Sequence, residues 1–347
     1  MKKMCDKDTR LIINIQNFLW NPLLNLAEKF GLKMPSIKLN WLNREDIINL
    51  LELENFEVIK TGQRFLLPFY IPVFSYLINR YIANLPIINK LCLTQYIIAR
   101  PRPEIRIEKS VSVLIPAMNE QGNIENALKR LPKMGTSTEI IFVEGGSSDD
   151  TWNEIKRMAE KYKDKWDIQH VKQDGQGKGD AVRKGFSMAK NDIFMILDGD
   201  LTVPPEDLPK FYEAIVSGQG EYINGSRLVY PMEDEAMRLL NIAGNKFFSI
   251  MFSWLLGQRL KDTLCGTKVL TRENYLRLAA NRHYFGDFDP FGDFDLIFGS
   301  AKMNLKIIEV PIRYQAREYG STNISRFKHG WLLIKMVVFA MGKIKFI

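Results

Sequence analysis

The sequence predicts an α/β protein: a larger part with a mostly parallel sheet covered by helices on both faces, and a small α/β segment before it. Three observations lead there. From residue 111 onward, short continuous apolar runs recur, each followed by a segment with helical spacing. Glycines, serines and aspartates gather between the runs. A Pro-rich, charged stretch, ARPRPEIRIEKS (99–110), sets this pattern off from a different one upstream.

The elements follow in order. Residues 1–100 read as helix, helix, strand, an apolar Pro-interrupted segment and a last strand, LCLTQYIIAR (91–100). VSVLIPA (111–117) is the first buried strand of the larger part, and NIENALKRL (123–131) has helical spacing. EIIFVEGG (139–146) is a second strand ending in a Gly turn. SSDDTWNEIKRMAEKY (147–162) opens with Ser and Asp cap candidates and continues as a helix. DIQHVKQ (167–173) is a third strand, GQGKGDAVRKGFSMAK (175–190) a Gly-rich loop feeding a helix, and DIFMILDGD (192–200) a fourth strand. The expected organisation is 1–100, a linker at 101–110, a main domain at 111–330 and an amphipathic C-terminal segment at 331–347.

Composition narrows the classes. With 347 residues the chain can hold one large or two modest domains, each with a core. A formal net charge of +8 suits an anionic partner, such as a phosphorylated ligand or an anionic membrane face. No nucleic-acid-binding motif stands out, so no nucleic acid is expected. Cys5, Cys92 and Cys265, at unrelated spacings, give neither a zinc pattern nor a disulfide framework, which favours a reducing, cytoplasmic compartment. The start, MKKMCDKDTR, does not lead into a signal-peptide core. FLLPFYIPVFSYLIN (65–79) contains two prolines and is short for a membrane span of roughly 20 residues. Trp20, Trp41 and the aromatic run 65–81 are expected in a core.

The chemistry concentrates in FMILDGDLTVPPE (194–206). Asp198 and Asp200 sit where a buried strand meets the crevice at its carboxyl end, and ligands gather there in such sheets. Alternation along an extended chain points both to one side, with Gly199 leaving room between them. Two adjacent carboxylates repel unless they are neutralised. A hard divalent cation does this, and Mg²⁺ completes its shell with water and substrate phosphates. A bare D-x-D is more often a solvated turn; its place at a strand end favours the metal reading.

Eight stretches in order carry a resemblance: VLIPAMNE (113–120), FVEGGSSDDT (142–151), GQGKGDAVRKG (175–185), ILDGDLTVPPEDL (196–208), INGSR (223–227), KDTLCGTKVLTRE (261–273), FDLI (294–297) and IIEVPIRYQAREYG (307–320). Together they resemble the inverting family-2 glycosyltransferases of GT-A (Rossmann-like) fold, and within them the dolichyl-phosphate mannosyltransferase-like branch. The resemblance implies a nucleotide-sugar donor, Mg²⁺ or Mn²⁺, and a lipid-linked phosphate or other glycosyl acceptor. It places Pro116, Met118 and Glu120 at the base and ribose, and Val143 and Gly145 under the nucleotide. Asp198, Gly199 and Asp200 match the metal and diphosphate site, and Thr202 falls where relatives often carry a Gln near the metal. Arg227 and Arg317 match basic residues near the diphosphate. Each has a plainer alternative: Pro116 as a turn former, Glu120 as a helix cap, Arg227 as the partner of an acid. Gly175, Gly177 and Gly179 follow the third strand rather than the first, which argues against a dinucleotide site. Lys178 and Asp180 lie in a loop placed to close over the nucleotide.

Three departures qualify the match. Where many relatives read Val-Asp-Asp-Gly-Ser, this chain reads Val143-Glu144-Gly145-Gly146-Ser147, so a base-contacting aspartate is replaced. Gly320-Ser321-Thr322-Asn323 stands where polyprenyl-branch relatives often read G-x-S-K. The Q-x-x-R-W motif of processive synthases is missing.

The reaction implied is attack on the anomeric carbon of the donor, with Asp200 and Arg227 in the catalytic set. A hydroxyl acceptor needs a base, for which Asp293 or Asp295 is the candidate; a phosphate acceptor, with its second pKa at about 6, does not. The stretches 236–257 and 331–347 read as amphipathic helices at a bilayer surface, with core or dimer helices as the alternative. The expected location is the cytoplasmic membrane face. A non-catalytic nucleotide-sugar-binding protein is the remaining alternative. Within residues 1–100, NREDIINLLELENFEVIKTGQR resembles the late helix–strand pattern of class I S-adenosylmethionine-dependent methyltransferases, and LCLTQYIIARP resembles their last strand. The upstream Gly-rich cofactor strand is missing, so the segment is expected to be a remnant without methyltransferase activity.

Overall fold

Seven strands from the larger part assemble into one sheet, and three from the N-terminal part into another. The structure, a computed structural model, describes residues 5–35, 42–103, 106–227, 239–284, 294–315, 317, 319 and 326–347. The chain divides into two compact units, one of residues 1–103 with 341–347 and one of residues 104–340.

In the first unit β1 (Leu11–Gln16) leads to α1 (Asn21–Lys29) and α2 (Arg44–Leu53), then β2 (Phe56–Arg64), α3 (Phe74–Arg80) and β3 (Thr94–Pro101). β3 lies between β1 and β2, antiparallel to both. The helix–helix start expected from the sequence misses β1. LIINIQ alternates apolar and polar residues and pairs with β3, and that cross-chain partner decides its state. α2 is set locally by a capping box: Asn43 Oδ1 accepts from Asp46 N at 2.8 Å, and the Asp46 carboxylate accepts from Asn43 N at 2.9 Å. Leu51, Phe56, Ile97 and Ala99 form a small core. The aromatic run 65–81 is not core, contrary to expectation: Phe69, Tyr70, Phe74 and Tyr76 are exposed. Trp20 is half-buried, its indole donating to Leu91 O at 2.7 Å, and Trp41 lies outside the described residues.

The second unit runs β4 (Val111–Ala117), α4 (Ile124–Arg130), β5 (Thr138–Glu144), α5 (Thr151–Lys161), β6 (Asp167–Lys172), α6 (Lys178–Met188) and β7 (Ile193–Ile196). It continues with α7 (Leu208–Val216), β8 (Tyr222–Ser226), α8 (Leu239–Leu256), β9 (Lys268–Thr271), α9 (Arg272–Ala280), α10 (Phe294–Lys302), β10 (Ile307–Pro311) and α11 (Arg326–Ala340). The sheet order is β10-β8-β9-β7-β4-β5-β6, and only β9 pairs antiparallel, with β7 and β8. From β4 the chain builds outward through β5 and β6, then returns to β7 on the other side of β4. Such a reversal leaves a crevice at the carboxyl ends of the two central strands.

Both sheet faces are covered because the strands are apolar on both. Val113, Ile115 and Ala117 join a core with Ile124 and Leu128 of α4, Ile155 and Met158 of α5, and Phe211 of α7. On the other face Phe186 of α6 stacks on Phe194 of β7 and meets Tyr275 of α9, both at 4.9 Å between centroids. α8 and α11, expected at a bilayer surface, each turn one face inward at helical spacing: Phe248, Phe252, Leu255 and Leu256 from one, Leu333, Met336, Val337 and Ala340 from the other. Residues 236–238 lie outside the described residues. The C-terminal stretch 331–347 divides, since α11 belongs to the second unit and residues 341–347 to the first. Among the described residues, no helix is long and apolar enough to cross a membrane.

α6 lies so close to β4 that a Cβ at Gly185 would stand 2.1 Å from Leu114 Cδ1. Replacing a helical glycine by alanine normally gains roughly 0.5–1 kcal/mol. Overpacking costs about 1–3 kcal/mol, and Leu114 is fully buried with no room to yield. Gly185→Ala is therefore expected to destabilise the chain by about 1–2 kcal/mol, read as a lowered urea midpoint.

Candidate active site

β7 ends at Ile196, and Leu197 N still donates to Leu114 O at 2.9 Å. The chain then turns, with Leu201 N donating to Asp198 O at 3.1 Å and Leu201 at φ +52°. Asp198 and Asp200 thus sit on a turn, not on extended strand, and strand alternation is not what orients them. Protein cations do. Lys178 Nζ, on the first residue of α6, lies 2.6 Å from Asp198 Oδ1. Arg317 Nη2, beyond β10, donates to Asp200 Oδ2 at 2.6 Å. Asp200 Oδ1 accepts from Thr202 Oγ1 at 2.8 Å and Thr202 N at 3.1 Å, so both its oxygens are held. Burial works to raise the Asp198 carboxyl pKa, but Lys178, joined by the fields of Lys268 and Arg227, holds the group below the usual carboxylate range.

Two glycines make room. A Cβ on Gly199 would stand 2.7 Å from Pro116 O, and one on Gly266 would stand 1.8 Å from Asp198 Oδ2. Gly266 packs against the carboxylate itself and was not singled out in the sequence, although CGTK stood within a matching stretch.

The loop after β4 is laced to the loop after β5. Asn119, at φ +58°, donates from its N to Ser147 Oγ at 3.0 Å and accepts from Ser148 N at 2.8 Å. Glu120 N donates to Thr151 Oγ1 at 2.9 Å. At the start of α5 Asp150 makes no side-chain cap bond, and Asp149, another of the cap candidates, accepts from Thr151 N at 3.0 Å. The Glu120 carboxylate is buried, accepts from Asn123 Nδ2 at 2.6 Å and faces Arg317 Nη1 at 3.6 Å. Burial pushes its pKa up to about 7 against the pull of Asn123 and Arg317. Gly145 N donates to Ala117 O at 2.9 Å, and a Cβ there would crowd Met118 at 3.2 Å. Val143 is fully buried inside β5, Pro116 half-buried in β4, and Met118 exposed.

Arg227 is anchored. Its Nε and Nη2 donate to Asp262 at 2.7 and 2.8 Å, and its backbone N donates to Asp262 Oδ2 at 3.0 Å. Asp262 is buried and also accepts from Leu264 N and Cys265 N, at 3.0 and 3.1 Å. This bidentate pair ties the end of β8 to the loop that carries Gly266. Below it Lys268, fully buried, donates to Asn224 Oδ1 at 2.7 Å and to Cys265 O. Asp262 and Lys268 were not anticipated as site residues; their only signal was the acid and lysine flanking LCGT.

Asp295, the expected base, accepts from Arg282 Nε at 3.0 Å, beside a pocket lined in part by His283, Tyr284 and Lys302. Burial raises its pKa and Arg282 pulls it back. Asp293 and residues 320–323 lie outside the described residues. Among the described residues no three or more His, Cys, Asp or Glu side chains converge on one point. The donor set of Asp198 and Asp200 still suits a hard cation, because a Mg²⁺-type site needs only one or two carboxylates beside water and phosphate.

Comparison with known proteins gives a family and a fold for the second unit. The model of the family described as Glycosyl transferase family 2 matches residues 112–279. A dolichol-phosphate mannosyltransferase of Pyrococcus furiosus is 40% identical over 121 residues, covering 34% of this chain and 33% of that protein. A dolichyl-phosphate hexose transferase of Haloferax volcanii is 29% identical over 231 residues, covering 66% of this chain and 92% of that protein. Among solved structures, a glucosyl-3-phosphoglycerate synthase from Mycobacterium tuberculosis superposes with a TM-score of 0.50 at 18% identity, over 68% of this chain and 78% of that one. The second unit has the GT-A fold, and the chain carries a glycosyl transferase family 2 domain.

Glu120 makes the site pH-sensitive. A carboxyl raised from 4.5 to about 7 on folding contributes stability fully below pH 4.5 and loses it as pH rises through 7. Wild-type stability is expected to fall on the order of 2 kcal/mol across that window through this group. Glu120→Gln should flatten that part of the curve, measured by denaturant unfolding at a series of pH values.

Proposed function

We propose that this chain, a glycosyltransferase with a family 2 domain over residues 112–279, moves a sugar from a nucleotide diphosphate donor to a polyprenyl phosphate, with inversion. The observation that carries the proposal is the pair Asp198 and Asp200 at the switch point of the sheet, each met by a cation from another element. The names of the two relatives, both transferases acting on dolichyl phosphate, support the acceptor class.

An acceptor phosphate oxygen attacks the anomeric carbon, the bond from that carbon to the diphosphate oxygen breaks, and nucleoside diphosphate leaves. No base is required, because the acceptor is already anionic near pH 7 with its second pKa at about 6. Lys178 and Arg317 present positive charge where the leaving diphosphate gains negative charge. Arg227, fixed by Asp262, adds a preorganised charge and positions the loop of Gly266. Asp198 and Asp200 are the residues to hold Mg²⁺ or Mn²⁺, which when bound supplies Lewis-acid stabilisation of the diphosphate. Pro116, Met118, Glu120, Val143 and Gly145, on the facing β4 and β5 ends, are the side proposed to take the nucleoside.

Transfer to a hydroxyl rests on Asp293 or Asp295 as base, and of the two Asp295 lies among the described residues. Its carboxylate is already held by Arg282, which favours a supporting role and hence the phosphate acceptor. For the N-terminal unit the methyltransferase-remnant reading is supported by the capped α2 running into β2 and by a last strand at 94–101. Action on a lipid acceptor implies work at the cytoplasmic membrane face.

Purified protein, polyprenyl phosphate, Mg²⁺ or Mn²⁺ and a panel of labelled nucleotide sugars should give metal-dependent label in the organic phase from one donor. Asp200→Asn and Gly266→Ala are expected to lower that transfer about 10²-fold or more, with unchanged far-UV circular dichroism. Nucleoside diphosphate released without organic-phase label would move the acceptor to a hydroxyl. Neither label nor release, beside a working control enzyme, would favour a non-catalytic binder.

A further inference from the structure

Residues 65–93 leave the first unit's sheet and return to it at one end, since Arg64 pairs with Thr94 and Leu93 N donates to Phe65 O at 2.8 Å. This excursion is partitioned the wrong way round for a water-facing fold. Its interior is small and polar: Ser75, Ala83, Asn84 and Cys92 are buried. Its polar groups bond inward. Asn79 donates to Leu67 O at 2.7 Å and accepts from Leu67 N at 2.9 Å. Ser75 Oγ donates to Phe69 O and accepts from Ile71 N at 2.7 Å. Asn84 donates to Arg80 O at 2.8 Å and accepts from Arg64 Nη1 at 3.2 Å.

Its large apolar side chains point outward. Tyr70 is 88% exposed, Ile87 77%, Val73 68%, Phe69 67% and Phe74 65%. A patch of this kind is uncommon on a soluble surface and marks an interaction site. Two of these residues are held there against backbone preference, since Val73 and Ile87 have φ of +66° and +73°, a region β-branched residues avoid.

Charge names the occupant. From residue 58 to residue 103 the sequence has no aspartate or glutamate, and it has six basic residues. The C-terminal stretch MGKIKFI joins the same unit, with Phe346 5.4 Å from the Tyr81 ring. Lys345 lies in the field of Lys60 and Arg64, and burial together with those two cations pushes its pKa down to about 8. An anionic bilayer matches both features at once, offering hydrocarbon to the apolar side chains and phosphate to the cations.

We propose that residues 65–91, with the cations Lys60, Arg64 and Lys345, form an interfacial docking surface for an anionic lipid bilayer. Tyr and Phe side chains at the apolar rim enter the headgroup boundary, and the basic groups lie at headgroup level. This concerns binding alone and goes beyond the transfer reaction proposed above.

The test is flotation of the full chain with vesicles of phosphatidylglycerol and phosphatidylcholine, without donor or acceptor, so that failed transfer chemistry cannot affect it. The chain is expected to float, to float less with phosphatidylcholine alone, and to weaken as salt rises from about 0.05 to about 0.5 M. The triple variant Tyr70→Ser, Phe74→Ser, Ile87→Gly alters exposed side chains only, and glycine suits the φ of residue 87. It should lower the partition coefficient about tenfold or more with unchanged thermal midpoint. Absence of flotation by the wild type would overturn the proposal. So would equal flotation of the variant, which would place binding elsewhere, such as on α8 or α11. A self-association seen in sedimentation, dissolved by the same variant and accompanied by no flotation, would assign the face to a second copy of the chain.

Discussion

Two carboxylates at the end of a buried strand must have their charge met, and much of the second unit is arranged around that requirement. Lys178 reaches Asp198 from the start of α6, and Arg317 reaches Asp200 from beyond β10. The sheet order makes this possible. β7 stands beside β4 at the centre, so its turn is open to elements that arrive from both edges. Remove either cation and a partly buried aspartate is left to repel its neighbour.

The surrounding framework keeps those charges in register. The buried Arg227–Asp262 pair costs desolvation, and its geometry compensates with two side-chain bonds and three backbone donors on one carboxylate. That pair fixes the loop where Gly266 touches Asp198. On the opposite side Asn119, Ser147, Ser148 and Thr151 stitch two loops together and bring Glu120 to Arg317. Arg317 therefore answers to two carboxylates, Asp200 and Glu120, and burial raises the Glu120 pKa to about 7. Protonation of Glu120 removes one of the two carboxylate charges beside Arg317, so the two loops and the diphosphate end of the site are electrostatically coupled.

The first unit follows a different rule. Its sheet and α2 bury a few apolar side chains, but the segment between β2 and β3 buries polar groups and displays aromatic ones. Water does not reward that arrangement, and a bilayer interface does.

The sequence by itself determined the strands and helices whose signal is local. β4, β5 and β7 read as apolar runs because both their faces are covered, and α2 read as a helix because Asn43 and Asp46 cap it within four residues. It also determined which residues crowd the carboxyl ends of the strands, since Asp198, Asp200, Glu120 and Arg227 stand in stretches with a recognisable pattern. Tertiary structure decided what depends on partners distant in the chain. β1 is a strand because β3 pairs with it, and the aromatic run is exposed because Asn79, Ser75 and Asn84 turn inward instead. Alternation could not orient the two aspartates, because the chain leaves β-conformation at Leu197; Lys178, Arg317 and Thr202 hold them instead, from positions up to 117 residues away. A one-dimensional pattern records local conformational preference and burial, whereas charge pairing and close approach belong to the space into which the chain folds.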